Sequence, residues 1–130
     1  MMKLPWLGVL ALAGCTQVPE TPDPGREIYM GYCVSCHGAG ARGDGPLAGD
    51  LPVHPADLTR LSARNGGVFP GGQVMAQIYG YPGRYQSHVM PEFGPELEGR
   101  NVQWSDETGA VVDTPQALLD LKNYLETIQE

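Results

Sequence analysis

Two cysteines three positions apart, followed at once by a histidine, constrain this chain more than any other feature: Cys33-Val34-Ser35-Cys36-His37. On one helical turn, positions i and i+3 face the same way and the next residue adds an imidazole beside them. Three chemistries use such a cluster: a redox-active disulfide, half of a zinc site, and haem attached through two thioethers with the histidine on iron. Zinc calls for a second Cys-x-x-Cys, and the only other cysteine is Cys15. A redox disulfide is expected after a buried strand, whereas the residues ahead of Cys33 have a helical pattern. For haem the spacing suffices, because two thiols one turn apart reach the two porphyrin vinyl groups and the imidazole meets the iron from the same side.

Length and composition fit that reading. The chain has 130 residues, enough for one compact domain, and its 18 Gly and 12 Pro predict a loop-rich fold. Only two Phe and two Trp are present, so large aromatic side chains for a self-packed core are few. A buried cofactor would supply the missing apolar volume. The formal net charge is -7, which excludes nucleic acid as a partner, since phosphate binding needs a basic stripe. Beyond residue 14 the only lysine is Lys122. Docking through a ring of lysines is therefore excluded, and an acidic protein is steered toward basic patches on partner proteins.

The N-terminus has the organisation of an export signal. Lys3 precedes the apolar run Leu4 to Ala13, too short to span a bilayer and of the length of a secretory leader. Leu12-Ala13-Gly14-Cys15 resembles the lipobox of bacterial lipoproteins. The resemblance implies cleavage before Cys15 and lipid on its thiol and amine, which accounts for the odd cysteine and holds the protein firmly at a membrane. Thr16 to Asp23 is polar and proline-bearing, and reads as an extended tether of roughly 25 Å at about 3.1 Å per residue. The expected organisation is a lipoprotein signal peptide over 1–14, a lipid-anchored tether over 15–23 and one domain over 24–130, on the periplasmic side of a membrane. Export also suits the motif, because haem is joined to such cysteines outside the cytoplasm, where an unprotected pair is oxidised to a disulfide.

Around the motif the chain resembles the class I c-type cytochromes. Asp23 and Pro24 open a predicted helix running into Cys33, with Gly25 and Tyr29 where that family places its small and aromatic residues. Near the end, Thr114-Pro115 is expected to open a helix whose Leu118, Leu121, Leu125 and Ile128 form one apolar stripe, with Tyr124 matching the family's aromatic there. The resemblance implies a mostly α fold of short helices and long loops wrapped around one covalent haem c, its terminal helices crossing at Gly25 and Tyr124. It also implies that the loop from Gly38 to Leu47 passes beneath His37, and that the Pro46 carbonyl accepts a hydrogen bond from the free ring nitrogen of His37. Two weaker helices are expected over 57–64 and 72–79. Asp106-Glu107-Thr108-Gly109 reads as a turn between short extended pieces.

The ligand on the other face of the iron decides between carrying electrons and doing chemistry. Met90-Pro91 resembles the distal Met-Pro of class I cytochromes, which implies His37/Met90 axial ligation. His88 and His54 are the alternatives, each with a plain reading as a solvated loop residue. Met75 and Met30 fall in predicted helices, where methionine is more often core filler. Trp104, Arg60, Arg84 and Tyr85 are candidates for contact with the propionates. The function expected is single-electron transfer between proteins, not an enzyme. The rivals are a haem c enzyme or small-ligand-binding haem protein with an open distal site, and a fixed haem subunit of a larger oxidoreductase complex.

Overall fold

The computed structural model describes residues 22–81 and 89–130. In chain order its helices are α1 (Pro24–Tyr32), α2 (Val34–His37), α3 (Leu61–Arg64), α4 (Gly71–Tyr79) and α5 (Gln116–Thr127), with an antiparallel hairpin of β1 (Asn101–Ser105) and β2 (Val111–Pro115) ahead of α5. Single 3-10 turns lie at Ala48–Asp50, Leu58–Arg60 and Pro95–Leu97.

Helix α1 starts as its sequence demands. The Asp23 carboxylate accepts the Arg26 amide at 3.0 Å, Pro24 occupies the first turn, and Glu27 lies at the positive end of the helix dipole. α1 then crosses α5 at Gly25. A Cβ there would lie 2.1 Å from the Asp120 carbonyl oxygen and 2.8 Å from Tyr124 Cβ, so only glycine lets the backbones meet. One turn on, the Tyr29 ring is wholly buried and tilts against Tyr124 with centroids 5.4 Å apart. Leu118, Leu121 and Leu125 of α5 are buried beside it, with Met75 and Ile78 of α4, Phe69 and Leu97 completing the core. Ile128, the last of the expected stripe, packs half-buried on its rim.

The final helix opens two residues later than its sequence suggests. Thr114 and Pro115 continue the hairpin ladder, paired with Val102 and Asn101, and the Gln116 amide donates to the Arg100 carbonyl at 2.9 Å. Pairing holds their backbone extended, and Thr114 is buried rather than capping. The expected helix over 57–64 is also divided: the Asp57 carboxylate takes the Thr59 amide and hydroxyl, a 3-10 turn follows, and α3 supplies one further turn. At the chain end Gln129 accepts the Ser62 amide and donates to the Leu58 carbonyl, strapping the C-terminus to this segment.

The hairpin is tied to α4 as well as to α5. Helix α4 lacks a side-chain cap of its own, and Glu107 at the hairpin turn reaches over to accept the Gly72 amide at 2.9 Å. Lys122 of α5 is buried here, its ammonium 2.6 Å from Glu126 and about equally distant from the Phe69 and Trp104 rings, at 5.8 and 6.0 Å.

Candidate haem site

Cys33 closes α1 and begins the next turn without a break. Its amide donates to the Tyr29 carbonyl at 2.9 Å, and its own carbonyl accepts the amides of Cys36 and His37 at 3.2 and 2.9 Å. Both thiols therefore leave one helical turn with the imidazole beside them, as the spacing predicts. They are free and half-buried. Burial, with the Cys36 charge adding to it, pushes the Cys33 thiol up to about 11.

The segment after His37 folds back beneath the motif. The Gly43 amide donates to the His37 carbonyl at 2.8 Å, Gly45 to Cys36 at 3.1 Å and Leu47 to Ser35 at 2.9 Å. Tight backbone makes this possible: Gly38 and Gly43 lie at φ 81° and 83°, and Ala41 is held in the same left-handed region at 58°. The buried Tyr29 hydroxyl donates to the Gly38 carbonyl at 2.6 Å, fixing the loop where it leaves His37.

The partner of the imidazole differs from expectation. His37 Nδ1 lies 2.9 Å from the carbonyl oxygen of Ala56, and Pro46 is exposed at the loop surface. The reason is the second chain segment that crosses here. Gly43 sits so close under Pro55 that a Cβ would fall 2.3 Å from the Pro55 carbonyl oxygen, and the Leu58 amide donates to the Ala41 carbonyl at 2.7 Å. Residues 55–58 are thereby clamped over the loop, with the Ala56 carbonyl turned to the ring. A carbonyl only accepts, so Nδ1 carries the proton and Nε2 keeps its lone pair for a metal. Burial lowers the His37 pKa from its ordinary value, and the Ala56 hydrogen bond opposes that shift.

The donor set fits haem c: two unpaired thiols on one turn, and an adjacent imidazole with its second nitrogen already held as a donor. Met90 is half-buried and packs against the same core as Cys33 and Val34. The end of α4 holds its segment, with the Phe93 amide donating to Ile78 at 2.9 Å and Gly94 to Tyr79 at 3.2 Å. The rings of Tyr32, next to Cys33, and Phe93, three residues beyond Met90, lie 6.1 Å apart and link the two segments. The Gln77 side-chain amide stands 3.9 Å from the Met90 sulfur.

The remaining candidates separate clearly. Met75 is core, Met30 is exposed, and His54 and Arg60 lie at the surface. Trp104 packs between the hairpin, Gly71 and Lys122. Cys15, Arg84, Tyr85 and His88 lie outside the described residues. Sequence reasoning missed Ala56, because every residue carries a carbonyl. It also missed Gln77, which reads as an ordinary helical polar residue.

A family model described as cytochrome C oxidase, cbb3-type, subunit III matches residues 20–105, ending at the close of β1. No curated protein and no solved structure matches the chain. Among the described residues no helix is long and apolar enough to cross a membrane, and c-type cytochrome domains are typically extracytoplasmic. The motif, the glycine-rich loop folded beneath it and this match agree: the chain belongs to the c-type cytochrome family of cbb3-type oxidase subunit III and binds haem c covalently.

Proposed function

We propose that the protein is a lipid-anchored carrier of single electrons, with haem joined to Cys33 and Cys36 and its iron held between His37 and Met90. Bound haem supplies a one-electron ferric/ferrous couple. The observation that carries the reading is the Nδ1 hydrogen bond from His37 to Ala56, which leaves Nε2 as a fixed donor beside two free thiols. Met90 on the core shared with Cys33 supports a thioether as the second ligand. A soft thioether favours ferrous iron and spares either oxidation state a change of ligand, which suits transfer over catalysis. The anchor at Cys15 would place this domain at a membrane surface on the periplasmic side, and the acidic chain would meet partners through their basic patches. The test is the far-red absorption of the ferric protein, where methionine-to-iron charge transfer appears. The band is expected in the wild type and absent in Met90→Ala; a band that survives the substitution overturns Met90.

The family match favours a second reading, a fixed haem subunit of an oxidase complex. Purification from mild detergent separates the two. A free carrier runs alone, whereas a subunit co-purifies with its oxidase in fixed ratio.

A further inference from the structure

Helix α4 presents the amide of Gln77 to the segment that bears Met90. Gln77 is half-buried, next to the core residue Ile78, and its Nε2 lies 3.9 Å from Met90 Sδ, within reach of an N–H···S contact. The helix is anchored from both ends. Glu107 accepts the Gly72 amide at its start, while the Ile78 and Tyr79 carbonyls at its end accept the Phe93 and Gly94 amides. Gln77 and Met90 are thus linked through backbone hydrogen bonds that tie their two segments together. A primary amide is a poor choice for merely filling apolar space, since its donors need acceptors once water is removed.

Resting on the reading of Met90 as an iron ligand, we propose that Gln77 is a positioning residue for that methionine, donating to one lone pair of its sulfur while the other faces the iron. A thioether sulfur has two lone pairs in fixed directions, so engaging one orients the other. The same contact draws electron density from the sulfur. Ferric iron, which needs the donor more, loses more by this than ferrous iron, so the contact raises the reduction potential.

The test uses the full-length holoprotein and Gln77→Leu, which is one atom shorter, keeps a comparable bulk and removes the donor. The far-red band should persist, and the ferrous–ferric equilibrium should move about three- to tenfold toward ferric, tenfold being about 59 mV for one electron. A persistent band with an unchanged or raised potential overturns the role of Gln77 and leaves Met90 in place. A wild-type protein without the band overturns both. Nitrogen-15 NMR of the wild type, independent of any variant's folding, should show the Gln77 side-chain amide protons hyperfine-shifted in the ferric state and slow to exchange. Freely exchanging, unshifted protons would likewise overturn the proposal.

Discussion

Gly25 and Tyr124 meet where α1 crosses α5, so closely that a Cβ on residue 25 would stand 2.8 Å from the Tyr124 Cβ. The nearer obstacle is backbone, the Asp120 carbonyl at 2.1 Å, which no side-chain rotation can relieve. Gly25→Ala gains helix propensity, yet it must drive the helices apart, and overpacking of this kind costs about 1–3 kcal/mol. A fall in Tm on the order of 10 °C is expected by calorimetry of the holoprotein. An unchanged or raised Tm would mean that the crossing is not held closed at this point.

With His37 on the iron as proposed, the clamp of Gly43 on Pro55 is expected to act on the reduction potential. Alanine at 43 would meet the Pro55 carbonyl at 2.3 Å and would strain a backbone at φ 83°, lifting residues 55–57 and weakening the bond from His37 to Ala56. A histidine that no longer donates from Nδ1 is a poorer donor from Nε2, and ferric iron suffers most. Voltammetry of Gly43→Ala should therefore give a higher potential than the wild type, along with about 1–2 kcal/mol of lost stability from the left-handed backbone.

Tyr29 couples stability to alkaline pH. Burial, and secondarily the charges of Tyr124 and Asp44, hold its phenol well above the usual range in the folded protein. The unfolded phenol ionises at about pH 10, as free tyrosine does. The stability contribution is thus complete below that pH and is lost as pH rises through the folded value. Denaturant titrations of the wild type should show stability declining above about pH 10, with a shallower decline in Tyr29→Phe. The same variant leaves the Gly38 carbonyl without its 2.6 Å donor, and should lose about 1–3 kcal/mol at neutral pH.

Lys122 is the only lysine after Lys3, and it lies buried against Phe69 and Trp104 with Glu126 as its ion-pair partner. Amine-directed reagents reach it slowly while the hairpin is closed over it. Mass spectrometry should find Lys122 labelled at least about tenfold more slowly in the native protein than in denaturant. Labelling at equal rates would show the hairpin to be loosely held.

Much of this was legible along the chain, and the legible parts share a property. Asp23 and Pro24 announce a helix start, Leu118, Leu121 and Leu125 repeat at helical spacing, and Asp106 to Gly109 has turn chemistry between two extended pieces. Each signal arises between residues close in sequence, where backbone geometry fixes who can meet whom. Thr114 and Pro115 show the limit. As a local pair they announce a helix, and the pairing of Thr114 with Val102 overrides it.

By itself the sequence determined the covalent chemistry of this protein: Cys33, Cys36 and His37 lie on one turn, so any fold that makes that turn presents them together. The close crossing of the terminal helices at Gly25 and Tyr124 was implied by the resemblance to class I cytochromes, and the fold shows it. Only the tertiary structure decided what holds the histidine. The bond from His37 to Ala56 rather than Pro46 spans two loops, and a backbone carbonyl leaves no mark in side-chain chemistry. The contact of Gln77 with Met90 was decided in the same way, because it depends on how α4 is anchored at both ends and not on any spacing between the two residues.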